Sequence, residues 1–316
     1  MIKILANDGI DPIGKALLEQ AGFVVDTETV PQDQLVEALK NYDGITVRSA
    51  TKLRKELIDA CPNIKLIGRG GVGMDNIDVE YARSQGVAVI NTPAASSLSV
   101  AELVFSHLFT GVRFLQDANR KMPVEGNTQF NNLKKAYAKG TELRGKTIGI
   151  IGFGRIGRET ATVALGLGMN VLAYDLYPFE GNLTLNFQGG ASVAIPVKTV
   201  PLDEVIANSD FISLHTPFAD KPILGAEEFA RMKEGAGVVN CSRGGTIDEA
   251  ALIEALDSGK LAFAGLDVFD NEPTPSAAIL QHSKISLTPH IGASTNEAQE
   301  RIGTELATLI IEHFNK

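Results

Sequence analysis

Three charged or titratable residues follow three separate apolar runs in the last quarter of this 316-residue chain. Arg243 comes after Gly237–Asn240, Glu272 after Ala262–Asp267, and His290 after Lys284–Leu287. A guanidinium can bind carboxylate and carbonyl oxygens, an imidazole can take a hydroxyl proton, and a carboxylate can orient the imidazole. Oxidation of a hydroxy acid by hydride transfer calls for this set. Singly, each residue has a bland explanation: a structural histidine, an arginine capping a helix, a glutamate facing solvent. A shared position at the ends of predicted strands makes the joint reading specific. His215, in Leu214-His215-Thr216-Pro217, also follows an apolar run, but no acid follows it closely. It is expected, with Thr216 and Pro217, to line a cofactor site. His107, His282 and His313 lie in helical or connecting contexts and are read as structural.

The elements that must position these residues are clearest between 147 and 175. Ile148–Ile151 is short, β-branched and bounded by glycine, as a buried parallel strand is. Gly152, Gly154 and Gly157 follow, and Ile156, Val163, Ala164 and Leu167 repeat at helical spacing. A second run, Asn170–Tyr174, ends in Asp175. Strand, glycine turn, helix, strand and acid stand in the order a dinucleotide site requires. The first glycine allows the tight turn, the second the approach of a pyrophosphate, and the third the close packing of helix on strand. The helix N-terminus adds partial positive charge. Asp175 can accept both ribose hydroxyls of NAD and would repel the 2′-phosphate of NADP, so the expected cofactor is NAD; no metal is called for.

Composition agrees with a soluble enzyme and adds little beyond that. The balance of 29 basic and 38 acidic residues leaves a net charge of −9, which argues against nucleic acid or an anionic membrane as partner. An anionic substrate would then need a local basic pocket. Two cysteines, Cys61 and Cys241, make no disulfide framework, and the start MIKILANDGI reads as a strand, so a cytoplasmic setting is expected. No uncharged apolar run approaches membrane-spanning length.

Up to about residue 97, predicted strands (Ile2–Ala6, Phe23–Thr27, Gly44–Val47, Ile64–Ile67, Val87–Ile90) alternate with predicted helices (Pro12–Ala21, Asp33–Lys40, Leu53–Ala60, Val79–Gln85). That alternation predicts an open parallel sheet covered on both faces, with ligands beyond the carboxyl ends of its strands. Two such ends are unusual. Arg48-Ser49-Ala50-Thr51 follows the third strand, and Gly68-Arg69-Gly70-Gly71-Val72-Gly73 the fourth. The glycine-rich loop could offer N–H groups to an anion, with Arg48 and Arg69 beside it.

Residues 98–115 read as a strongly apolar helix preceded by Ser96, Ser97 and Ser99 as N-cap candidates. Residues 116–146 are polar and lysine-bearing, and read as a solvated connection or as an arm reaching a neighbouring subunit. Residues 176–201 read as a loop or small hairpin. Alternation from about 98 to 290 predicts a second doubly wound sheet, and a final helix over 294–314 that packs back on the first.

The motifs, in order, carry a resemblance almost end to end: VRSAT, GRGGVGMDNID, NTPAASSLSVAELV, ELRGKTIGIIGFGRIG, LHTP, VVNCSRGGTIDEAAL, GLDVFDNEP and TPHIGAST. The chain resembles the D-2-hydroxyacid dehydrogenases. The resemblance implies two doubly wound parallel-sheet domains, a Rossmann-type cofactor domain (98–290) inserted into a flavodoxin-like substrate domain (1–97 plus 291–316), and a homodimer. It implies catalysis by His290 with Glu272 and Arg243. Arg155 and Ile156 would meet the pyrophosphate and Asp175 the adenosine ribose. Thr216, Cys241, Asp267 and Gly292 would line the nicotinamide half. Gly70, Gly71 and Val72 would receive the substrate carboxylate, and Arg48 and Arg69 a phosphate, with Ser49 beside them. The expected substrate is a small 2-hydroxy or 2-oxo acid, phosphorylated if the arginine pair acts so; reductases of glyoxylate or hydroxypyruvate are the alternative. NAD-sensing corepressors on the same scaffold are a third reading, disfavoured by the charge and by the absence of motif-bearing tails. Ser96 and Val72 depart from the family's usual Asn and Thr, and the family's tryptophan ahead of ELRGK is missing. The chain ends after its last helix, so feedback control by a C-terminal regulatory domain is not expected.

Overall fold

The computed structural model describes residues 1–218 and 220–315. They fall into two compact units, Met1–Ser99 with the chain from Ala293 onward, and Val100–Gly292.

The smaller unit begins with β1 (Lys3–Ala6), α1 (Pro12–Gln20), β2 (Val24–Asp26), α2 (Leu35–Leu39), β3 (Gly44–Val47), α3 (Lys55–Ala60), β4 (Leu66–Arg69), α4 (Val79–Ser84) and β5 (Ala88–Asn91). Its five strands are all parallel, in the order β2-β1-β3-β4-β5. Alternate side chains of β1 enter separate cores, Leu5 with Leu35, Ile45 and Leu53, and Ile4 with Leu18 and Leu66. A strand buried on both faces has no polar side, which is why these runs are continuously apolar. α1 starts sharply because Pro12 needs no N–H partner there and the Asp11 carboxylate accepts from Ile13 N–H at 2.9 Å. β4 begins two residues later than the apolar run suggests. Ile64 is buried, but its N–H closes a turn on Cys61 instead of entering the ladder.

The larger unit takes in most of α5 (Ser97–Val112), then α6 (Leu115–Ala136), β6 (Thr147–Ile151), α7 (Arg155–Gly166), β7 (Asn170–Tyr174), β8 (Glu180–Asn186), β9 (Ser192–Lys198), α8 (Leu202–Asn208), β10 (Phe211–Leu214), α9 (Ala226–Arg231), β11 (Ala236–Asn240), α10 (Glu249–Asp257), β12 (Leu261–Leu266), α11 (Ala277–Gln281) and β13 (Ile285–Leu287). Six parallel strands run in the order β13-β12-β11-β10-β6-β7. The connection from β6 goes to one side and the chain later returns as β10 on the other, so the end of β6 is the topological switch point where such sheets bind ligands. Val205, Leu252 and Leu266 fill one face, and Val104, Ile148 and Ile150 the other.

One segment differs from expectation, and one expected as a loop or small hairpin is a hairpin. Most of residues 116–146, read as a solvated connection or as an arm reaching a neighbouring subunit, is helical: α6 is started by Phe114 in the left-handed region (φ 56°) and broken at Gln129. Leu133 is its one buried side chain, so the helical apolar period is weak in the sequence. The 176–201 stretch is the antiparallel hairpin β8–β9. Among the described residues no single helix is long and apolar enough to cross a membrane; α5 is apolar because Val104, Phe105, Leu108 and Val112 lie in the core.

The chain returns to the smaller unit as α12 (Asn296–Phe314), which places Leu306 and Ile310 in the core behind β1. α1 and α12 cross at two glycines: a Cβ on Gly14 would stand 2.5 Å from the Gly303 carbonyl oxygen. Gly14→Ala must therefore push backbone apart. We expect a loss of about 1–3 kcal/mol, seen as a lower urea midpoint; an unchanged midpoint would contradict this close crossing.

Candidate active site

The turn after β6 is built by close approach. Gly152 has φ +95°, and a Cβ there would lie 2.6 Å from the His215 carbonyl oxygen. A Cβ on Gly157 would lie 2.1 Å from Gly152 O, so α7 can sit against the turn only without a side chain. Among the described residues beyond its chain neighbours, Gly154 has no atom within 4 Å of its Cβ position, and it caps α7 with no side-chain bond. No acid stands in the first turn of α7. Its N–H groups and dipole thus face open space, as anion binding needs. Arg155 is exposed there and Ile156 half-buried. Asp175, at the end of β7, accepts from Phe153 N–H at 2.6 Å and from Tyr177 N–H at 2.9 Å. Its carboxylate is thereby held at the glycine turn.

Across the switch point, the N–H of His215 extends the ladder to Ile151 O at 2.8 Å. Its Nε2 meets Ser213 Oγ at 2.9 Å, its Nδ1 is buried without a partner among the described residues, and burial pushes its pKa down to about 3. His215 is therefore a neutral wall residue, not a proton acceptor at physiological pH. Among the described residues the Thr216 hydroxyl likewise has no partner, and its methyl lies 3.1 Å from the Cβ position of Gly152; Pro217 is exposed beside it. An uncapped helix end, a cradle that only glycine leaves open and an orphaned hydroxyl fit a dinucleotide.

The ends of β11, β12 and β13 bring the expected acid–base residues together. His290 Nδ1 lies 2.8 Å from Glu272 Oε2, while Glu272 Oε1 accepts from Phe269 N–H at 3.0 Å. The carboxylate can only accept, so Nδ1 carries the proton and the Nε2 lone pair is left outward. Nε2 has no partner among the described residues, and the ring is half-exposed. Arg243 joins them through backbone packing: a Cβ on the next residue, Gly244, would stand 1.9 Å from Phe269 O, and Gly245 N–H donates to Asp270 Oδ1 at 2.7 Å. The Arg243 and Glu272 loops are thus in van der Waals contact. Arg243 Nη1 donates to Ser242 O at 2.6 Å. A cavity of about 410 Å³ opens beside this group, lined by Phe269, Glu272, Leu280, Leu287 and His290. Another, of about 530 Å³, lies at the amino-terminal edge of the same sheet and touches none of the expected site residues.

Asp267 is 1 % exposed and gathers the turn that follows it. Its Oδ1 accepts from the Thr288 hydroxyl at 2.6 Å and Ile291 N–H at 2.8 Å, and its Oδ2 accepts from Gly292 N–H at 2.8 Å. Burial raises its pKa, opposed by those three donors and by nearby His290. Cys241 is buried, and burial together with Asp267 pushes its thiol well up. It is packing surface, not a nucleophile.

In the smaller unit the glycine loop offers fewer donors than expected. Gly70 N–H extends the ladder to Val47 O at 2.9 Å, and Gly71 N–H closes on Arg69 O at 3.0 Å. Of the three N–H groups expected to meet a carboxylate, only that of Val72 has no partner among the described residues, and Gly73 N–H next to it has none either. β-pairing simply continues past β4. Arg69 folds over its own loop, its Nη1 standing 1.6 Å from where a Cβ on Gly71 would be. Arg48 is half-buried at the end of β3 and Ser49 exposed.

Two positioning residues escaped the sequence reading. Asn240, at the end of β11, donates to Arg243 O at 2.9 Å and accepts from Ser242 N–H at 3.0 Å, shaping the arginine turn. Asp8, just after β1, accepts from the N–H groups of Arg48 (2.7 Å) and Thr51 (3.1 Å). Both are polar residues at strand ends, which was the available signal.

Fold and site together define an NAD-binding, doubly wound α/β protein with an acid–base cluster at the sheet's carboxyl edge. The sequence profile of the D-isomer specific 2-hydroxyacid dehydrogenase NAD-binding domain matches residues 105–292. The chain is 42 % identical over 318 residues to a hydroxypyruvate reductase of Thermotoga maritima, covering 99 % of this chain and 98 % of that one. It is 39 % identical over 313 residues to human D-3-phosphoglycerate dehydrogenase, covering 98 % of this chain and 56 % of that one. It thus spans about half the length of the curated phosphoglycerate dehydrogenases it matches. A glyoxylate reductase structure from Paecilomyes thermophila superposes with a TM-score of 0.82 at 29 % identity, covering 100 % of this chain and 96 % of that one. NAD⁺-bound 3-phosphoglycerate dehydrogenase of Entamoeba histolytica gives 0.77 at 27 %, with the same coverage. The chain belongs to the D-2-hydroxyacid dehydrogenase family, and its larger unit is the NAD-binding domain.

Gly157→Ala should weaken NADH binding at least about tenfold in a fluorescence titration, because a methyl 2.1 Å from Gly152 O must displace the turn. Unchanged affinity would show that this turn does not hold the cofactor.

Proposed function

We propose that the chain is an NAD-dependent oxidoreductase interconverting a small D-2-hydroxy acid and its 2-oxo acid, with hydroxypyruvate or glyoxylate as the preferred oxidised substrate. The observation that carries the reading is the His290–Glu272 pair at 2.8 Å, at the carboxyl edge of the same sheet whose β6 leads into the family-matched NAD-binding turn. NAD, when bound, exchanges a hydride at nicotinamide C4 with substrate C2. In reduction, the protonated His290 gives its Nε2 proton to the C2 oxygen; in oxidation the Nε2 lone pair takes that proton back. Glu272 holds Nδ1–H throughout, so the ring keeps one orientation. Arg243 binds the C2 oxygen and the carboxylate, drawing the carbonyl's charge toward oxygen. Arg155 and Ile156 would hold the pyrophosphate, Asp175 the adenosine ribose, and Thr216, Pro217, Cys241, Asp267 and Gly292 would line the nicotinamide half. In the smaller unit, Val72 and Gly73 are the loop N–H groups with no partner among the described residues and so are available to a carboxylate.

The preference for an unphosphorylated acid rests on the match to the reductase over nearly the whole of both chains and on Arg69, which is folded against Gly71. A second reading, 3-phospho-D-glycerate and phosphohydroxypyruvate, is favoured by Arg48 at the end of β3. A screen of hydroxypyruvate, glyoxylate, pyruvate and phosphohydroxypyruvate with NADH and NADPH separates the two. We expect NADH-dependent reduction of hydroxypyruvate or glyoxylate at the highest kcat/KM, and His290→Ala to lower kcat by about 10²–10⁴ with NADH binding retained. Preference for phosphohydroxypyruvate, abolished by Arg48→Ala, would transfer the assignment to the phosphorylated acid. No turnover of any acid would sink the enzyme reading in favour of an NAD-sensing binding protein.

We further propose a homodimer formed through the larger unit. α6 exposes Leu115, Met122, Val124 and Phe130, with Val124 77 % and Phe130 57 % accessible in the isolated chain. Light scattering should give twice the chain mass, reduced to one chain mass by Val124→Asp with Phe130→Asp; a monomeric wild type would refute the proposal.

A further inference from the structure

His107 is the second most interesting imidazole in the larger unit, and the mechanism above does not use it. It lies on α5, 2 % exposed, with both ring nitrogens bonded: Nδ1 to Ser286 Oγ at 2.9 Å and Nε2 to Thr288 Oγ1 at 3.1 Å. The sheet makes room for it. Gly265 on β12 pairs with Ser286 on β13, and a Cβ on Gly265 would stand 2.5 Å from His107 Cβ. We propose that His107 is a positioning residue for the turn bearing His290, acting through the Thr288 hydroxyl and the Asp267 carboxylate. This rests on the assignment of His290 as the proton-transfer group.

The donors and acceptors can be followed one by one. Asp267 accepts backbone N–H groups from Ile291 and Gly292, and Thr288 Oγ1 donates its one proton to Oδ1 of the same carboxylate. Toward His107, the Thr288 oxygen must then accept, so Nε2 carries the imidazole proton. Nδ1 is left as an acceptor and accepts a hydrogen bond from the Ser286 hydroxyl. Burial pushes the His107 pKa down to about 4, so the ring is neutral at physiological pH, as this pattern demands. Donation therefore runs one way, from Ser286 to His107 to Thr288 to Asp267. No group in it has a second proton with which to reverse the direction.

The turn at its end needs holding. His290 has φ +54°, in the left-handed region that a side chain disfavours. Its N–H is kept there by Asp267 O at 2.9 Å and Thr288 O at 3.1 Å. If Thr288 turns away from Asp267, the carboxylate loses one of its three donors and the turn bearing His290 loses one of the bonds that hold it. A displacement of about an ångström in a proton-transfer group is costly to turnover and nearly invisible to binding.

The test combines a spectroscopic readout with a kinetic split. In wild-type protein labelled with ¹⁵N-histidine and free of cofactor, the His107 ring, identified by its loss in His107→Gln, should show the Nε2–H tautomer and remain neutral at pH 5.5. An Nδ1–H tautomer, or titration near the ordinary histidine value, overturns the proposal. With NADH and the best 2-oxo acid, His107→Leu should lower kcat about tenfold or more with KM nearly unchanged. His107→Gln, whose amide nitrogen can still donate to Thr288, should recover most of kcat. A fully active Leu variant, or a Gln variant as impaired as Leu with native circular dichroism, also overturns it. Absence of wild-type turnover with the expected tautomer present would instead fault the functional reading on which the proposal rests.

Discussion

A single buried carboxylate organises the end of the larger sheet. Taking Asp267 out of water costs several kcal/mol unless its lone pairs are met. Thr288, Ile291 and Gly292 meet them, all from the five residues that follow β13. The same contacts wrap that segment around β12, so the backbone of His290 is determined by its neighbours and not by its own preference. Glu272 then needs only to fix the rotation of the ring. Strained backbone survives where surrounding bonds over-determine it, and here it carries the imidazole.

Three histidines of the larger unit show how environment divides one residue type among different tasks. His107 is buried and His215 half-buried with its Nδ1 out of solvent, and desolvation pushes their pKa values to about 4 and about 3. Both are neutral hydrogen-bonding parts. His290 alone combines a half-exposed ring, a carboxylate on Nδ1 and an unengaged Nε2. Proton exchange with a ligand requires that combination.

Much of this was legible in the residues. Parallel strands buried on both faces must be largely apolar runs rich in β-branched residues, so β3 and β11 are visible as such. The glycine turn is visible because only glycine tolerates contacts of 2.1 Å and 2.6 Å with backbone oxygen. α6 was not legible as a helix, since with one buried side chain it lacks an apolar stripe. α11, five residues long, was missed because it spans hardly more than one turn. The glycine loop at 68–73 looked like an anion cradle, but whether an N–H is free depends on a neighbouring strand, and β3 takes the first of them.

Local sequence determined which elements form and which chemistry they can carry: α/β alternation, the dinucleotide turn, and an arginine, a glutamate and a histidine at strand ends. It did so because backbone sterics, apolar periodicity and side-chain functional groups act within a few residues. Tertiary structure alone decided that Glu272 meets His290, that Gly244 brings Arg243's loop against Phe269, and that His107 reaches Thr288 across 181 positions of chain. Those contacts depend on strand order and register, which are set by how the two faces of the sheet bury their apolar surface, a property of the whole unit and of no single segment.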